Sequence, residues 1–168
     1  MKSVWLATAF VVASLAGCVA TPPKPPIVQN LIYQLPGGVI KDRVFALDGN
    51  RANFCVLLEV DGKSVPNSVD ASLEAGRGKG NLLVLRILDR TIDQGLHKLT
   101  IRCQTVYAMP IISMLNSTHL VQGTVEIDVK NRASYVVNGE LGSTGSSVWI
   151  EDATSGEVRT SRITSNSK

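Results

Sequence analysis

In the stretch TVEIDVK, Val125, Ile127 and Val129 alternate with Thr124, Glu126, Asp128 and Lys130. A period of two puts one set of side chains on a covered face and the other in water, as in a half-buried strand. Short apolar runs between turn residues recur from Ile27 onward, and almost no segment keeps helical spacing over three turns. The pattern predicts strands over 29–34, 43–47, 53–60, 82–89, 97–107, 120–130, 134–140, 146–151 and 157–163. Turns are expected at Pro36-Gly37-Gly38, Asp48-Gly49-Asn50, Asp61-Gly62 and Asn138-Gly139. VWIEDATSGEVR reads as a hairpin around a loop from Asp152 to Gly156, and a short helical turn is allowed near 68–75. AMPIISML, residues 108–115, fits an apolar strand, a loop tucked under a sheet or a helical turn after Pro110; core filling is favoured over an exposed sticky patch. The expected fold is all-β: one antiparallel β-sandwich of the immunoglobulin or transthyretin kind over residues 29–163. Polar residues 164–168 are expected to be a disordered tail.

The amino terminus breaks this pattern. After Met1 and Lys2 the chain carries no charge from Val4 to Gly17, then reaches Cys18. An apolar core of about 14 residues suits a signal peptide, whereas a membrane-spanning helix needs roughly 20. Leu15-Ala16-Gly17-Cys18 resembles the lipobox of bacterial lipoproteins. The resemblance implies that residues 1–17 are a signal peptide and that Cys18 becomes the acylated first residue of the mature chain. Each buried methylene contributes about 0.8 kcal/mol, so two or three acyl chains anchor far better than one. Val19, where an inner-membrane lipoprotein would carry aspartate, implies the outer membrane, with the domain facing the periplasm. Residues 18–28 include TPPKPP, an extended proline-rich run that reads as a tether.

Without the leader about 150 residues remain, enough for one ordinary domain. The full chain has 17 Lys plus Arg against 14 Asp plus Glu, a net charge of +3 that falls by one when Lys2 leaves with the leader. No basic stripe forms, so nucleic acid is not an expected partner. With Cys18 lipidated, Cys55 and Cys103 remain. A disulfide between them is expected, and two buried thiols are the alternative. HKLTIRCQ puts Cys103 on the inward side with Leu99 and Ile101. In NFCVLLEV the better apolar face is Phe54, Val56, Leu58 and Val60, so for Cys55 either both faces are partly covered or a bulge shifts the parity.

VDGKSV at 60–65 and GLHKLTI at 95–101 are similar to the pattern of PEGA-type domains, small extracytoplasmic β-domains. Ser134, Tyr135, Val136 and the hairpin from Trp149 to Gly156 resemble the closing strands of envelope β-sandwich lipoproteins of similar size. The likeness implies a binding or structural module.

The chemistry available is sparse. The chain has two histidines, His97 and His119, with no HExxH and no clustered cysteines, so neither a metal nor a catalytic site is expected. His97 reads as a structural residue at a strand start, His119 as a solvated one beside a turn. There is no G-x-S-x-G elbow. EAGRGKGN, 74–81, lacks the GK[ST] ending of a phosphate loop. Its Arg77 and Lys79 stand as a possible partner-contact loop on lipid head groups, polysaccharide or an acidic protein. Glu151 and Asp152 are strand neighbours and point to opposite faces, while Glu126 and Asp128 share a wet one. No cofactor is expected. The expected function is a non-enzymatic envelope lipoprotein with an unidentified envelope protein partner; the alternative is an inhibitor that plugs a lysozyme-like enzyme with residues 77–81.

Overall fold

The computed structural model describes residues 37–165 apart from Gly49 and Asn81. The expected leader, Cys18, the tether, the strand at 29–34 and residues 166–168 lie outside the described residues. The strands are β1 (Gly37–Lys41), β2 (Arg43–Asp48), β3 (Arg51–Val60), β4 (Lys63–Ser64), β5 (Asp89–Asp93), β6 (Gly95–Tyr107), β7 (Leu120–Val129), β8 (Ser134–Gly142), β9 (Gly145–Asp152) and β10 (Ile163–Ser165). One sheet has the order β10-β9-β8-β1-β5; the other is β2-β3-β6-β7, with β4 added to β3. β1 pairs with β8 in parallel, and antiparallel pairing joins the other neighbours. The fold is all-β and sandwich-like, with two sheets and short helical insertions.

Alternation builds the core. Val121, Val125, Ile127 and Val129 of β7 are buried, while Gln122, Glu126 and Asp128 are exposed. They meet Ile40, Leu57, Leu99, Ile101, Val137, Val148 and Ile150 between the sheets. β3 is covered on both sides. Cys55 and Leu57 face this inter-sheet core, whereas Ala52, Phe54 and Val56 join a second cluster with Val69, Leu83 and Val106. The pairing of β3 with β6 also shifts between Leu57 and Glu59, so coverage and a bulge both occur.

The second cluster explains one missed strand. Residues 82–88 form no strand; α1 (Ser68–Gly76) lies beside them. Ser72 Oγ accepts from Arg86 N at 2.8 Å, and Ser68 Oγ accepts from Leu88 N at 2.8 Å. Two backbone donors that a sheet ladder would use are thus taken by helix serines. Leu83 and Leu85 still point inward, which is the alternation that suggested a strand. The helix begins at Asn67, whose Oδ1 accepts from Val69 N and Asp70 N at 3.1 Å each.

Four further expectations are corrected. Gly37 and Gly38 open β1 instead of a turn, because Gly37 pairs with Asp93 and its carbonyl accepts from Arg132 N. Asn138 and Gly139 lie inside β8, opposite Trp149 and Val148; the turn falls instead at Gly142–Gly145, within GSTGSS. The hairpin around Asp152–Gly156 forms, but the expected continuous strand at 157–163 is broken: after the Glu151–Val158 bridge it is interrupted, with Arg162 stacked on Trp149 at 3.9 Å, before pairing with β9 resumes. β10 carries pairing to Ser165, two residues past the expected end of the domain, as Ile163, Thr164 and Ser165 pair with Val148, Ser147 and Ser146. The Asp61-Gly62 turn stands where expected, with φ of 52° and 77°. AMPIISML adopts the helical alternative, α2 (Pro110–Leu115), with Ile111 60% and Met114 84% exposed. These two side chains do not fill the core.

Candidate functional site

Asp42 is the one residue between β1 and β2, where the chain passes from one sheet to the other. Its carboxylate is fully buried. It accepts from Leu57 N at 2.9 Å, Ser68 N at 2.8 Å, Ser68 Oγ at 2.7 Å and Arg90 Nη1 at 3.1 Å, and it pairs with Arg90 Nη2. Arg90 Nη1 also donates to Pro66 O at 2.9 Å. This node ties β1, β3, α1 and β5 together. A buried charge with this many donors is a fixed structural element, since every lone pair is engaged. Sequence reading passed over Asp42. Its available signal was an acid in the middle of an otherwise β-prone run, GVIKDRVFAL.

Two clefts lie at opposite ends of β6. The first, of about 380 Å³, is bordered by Val60, Asp61, Val65, Arg90, Asp93 and His97. His97 Nδ1 lies 2.7 Å from Asp61 Oδ2, and His97 Nε2 lies 2.9 Å from Asp93 O. Lys98 N donates to Asp61 Oδ1 at 2.9 Å. That backbone donor first, then the His97 contact, hold the Asp61 carboxyl below the usual carboxylate range. Both ring nitrogens of His97 are engaged by its own surroundings, in keeping with the structural role expected of it.

The second cleft, of about 330 Å³, is the open mouth of the sandwich near α2, bordered by Arg51, Asn53, Thr105, Tyr107, Ser117 and His119. Thr105 Oγ1 donates to Asn53 Oδ1 at 3.0 Å, and Tyr107 OH donates to Ser117 O at 3.0 Å. His119, expected to be solvated, is half-buried here and its carbonyl accepts from Thr105 N at 2.9 Å. Sequence reading also passed over Asn53 and Thr105. Their signal was polarity at positions sharing the parity of Cys55 and Cys103.

Cys55 and Cys103 form a disulfide, directly opposite each other on β3 and β6. It therefore links neighbouring strands within one sheet. Arg77 and Lys79 sit just past the carboxyl end of α1; Arg77 pairs with Glu74 at 2.6 Å, and Lys79 N donates to Gly76 O. A helix presents carbonyls at that end, the wrong polarity for cradling an anion. Glu151 is held by Arg43 at 3.3 Å and by Trp149 Nε1 at 3.1 Å. Asp152 accepts from Thr154 N and Ser155 N at 2.9 Å each, and these bonds, with that from Ser155 first, lower its pKa. Among the described residues no cluster of three or more His, Cys, Asp or Glu is placed to hold a metal, and no helix is long and apolar enough to cross a membrane. No protein-family model, curated protein or solved structure matches the chain.

Proposed function

We propose that this chain is a non-enzymatic lipoprotein of the bacterial envelope, acylated at Cys18, tethered to the outer membrane and facing the periplasm. Its domain serves as a binding or structural module for an envelope protein partner. The observation that carries the reading is Leu15-Ala16-Gly17-Cys18 at the end of a charge-free run that follows Lys2. The Cys55–Cys103 disulfide supports it, because such bonds persist in oxidising compartments such as the periplasm. Two packed sheets of short strands support the immunoglobulin or transthyretin kind of sandwich.

The test is palmitate labelling in a Gram-negative host, followed by intact mass of the mature chain. The expected result is an acylated Cys18 as first residue and recovery in the outer-membrane fraction. Cys18→Ala converts the site to an ordinary A-x-A cleavage pattern and is expected to release the chain into the soluble periplasm. A mature wild-type chain without acyl mass would overturn the proposal.

A further inference from the structure

The inner faces of β3 and β6 change character beyond the disulfide. Cys55 and Leu57, like Leu99, Ile101 and Cys103, are packed in the inter-sheet core. The next positions of the same parity are Asn53 and Arg51 on β3, paired directly with Thr105 and Tyr107 on β6. His119 keeps the parity of buried Val121. Positions between two sheets ordinarily take apolar side chains. Where a run of them turns polar at a cleft, the break in pattern marks a site whose chemistry outweighs packing.

The bordering groups are amide, hydroxyl, phenol, imidazole, one guanidinium and the aliphatic side chain of Leu141, with no carboxylate among them. We propose that this mouth is a carbohydrate-binding site that takes one sugar residue of a glycan. The cleft, at about 330 Å³, lies at the low end of the roughly 300–1,000 Å³ of ligand pockets. The Thr105–Asn53 and Tyr107–Ser117 hydrogen bonds fix these side chains before a ligand arrives, which lowers the ordering cost of binding. The first bond uses the Asn53 carbonyl oxygen, so its amide donors remain for a sugar hydroxyl or acylamido oxygen, with the His119 ring alongside. An apolar side chain in the same place would strip water from these groups without replacing its hydrogen bonds. Arg51, at the rim, is paired with Asp48 at 3.8 Å, and an acidic substituent would compete with that exposed carboxylate for its guanidinium. The inference rests on the domain being a binding module and adds a glycan ligand to the protein partner proposed for it.

The test is an amide NMR titration of the full mature chain in detergent with two probes, chitotriose and trigalacturonic acid. The expected result is saturable shifts at Asn53, Thr105 and His119 with at least one trisaccharide, and an affinity at least about fivefold weaker in Asn53→Ala. If Asn53→Ala does not fold, His119→Ala takes its place, with the same expected loss. No saturable shift with either probe, shifts confined to another part of the domain, or unchanged affinity in the folded variant would overturn the proposal. The acyl mass at Cys18, read on the same sample, separates failure of the lipoprotein reading from failure of the glycan site.

Discussion

At the scale of single residues, Asp42 and Gly139 show how much depends on one position. Asp42→Ala removes the acceptor of five hydrogen bonds and leaves the largely buried Arg90 guanidinium without its carboxylate. The expected cost is about 3–5 kcal/mol, read as a lower urea midpoint; a loss under about 1 kcal/mol would mean that water replaces the carboxylate. Gly139 reads in sequence as half of an Asn-Gly turn, yet it sits mid-strand, where a Cβ would collide with the Ser147 backbone oxygen of β9 and lie 2.5 Å from Cys103 Sγ and 3.2 Å from Cys55 Sγ. Gly139→Ala is expected to cost about 1–3 kcal/mol by overpacking against the β9 backbone and the disulfide, again measured by urea unfolding. Asp61 gives a pH signature. Its folded pKa lies below the unfolded carboxylate value, so its contribution is present above about pH 4 and is lost as the pH falls through the folded value. Asp61→Asn should therefore flatten the decline in the unfolding midpoint below pH 4. An unchanged acid limb would show that the contact with His97 and Lys98 does not survive in solution.

At the scale of elements, the reading from sequence succeeded where alternation runs along a paired ladder and failed where alternation occurs without one. β7 was legible because Glu126 and Asp128 alternate with buried Ile127 and Val129. The ambiguous parity of Cys55 was itself a true signal of a strand with two cores. Residues 82–88 misled because alternation reports which side chains are buried, while strand formation depends on where the backbone donors go. The cap of α1 is testable: Asn67→Ala should lower stability by about 1 kcal/mol. In α2, replacing Ile111 and Met114 by serine should change stability by less than about 0.5 kcal/mol, since both are exposed. A larger loss in thermal unfolding would show that these side chains are packed in solution.

At the scale of the whole molecule, two sheets and their disulfide were legible from short apolar runs and a cysteine pair. Which strands neighbour each other was not, because β1 pairs with β8 nearly 100 residues away and no local pattern encodes that register. The polar mouth was hidden for the same reason, since it assembles from β3, β6, the approach to β7 and the end of β8. Replacing both Cys55 and Cys103 by alanine should cost about 2–4 kcal/mol, because the disulfide closes a loop of 48 residues. Denaturant unfolding of the double variant in non-reducing buffer measures it, and wild type treated with reductant should approach the same midpoint.

β1 is the first described strand, and it lies between β8 in parallel and β5 antiparallel, with Asp42 locking its far end. A pull directed along β1 from Gly37 loads the ladders on both sides of the strand together as shear, so they cannot peel one rung at a time. A strand loaded in shear and pinned at its far end by a buried carboxylate–guanidinium pair makes the domain stiff toward force applied at Gly37.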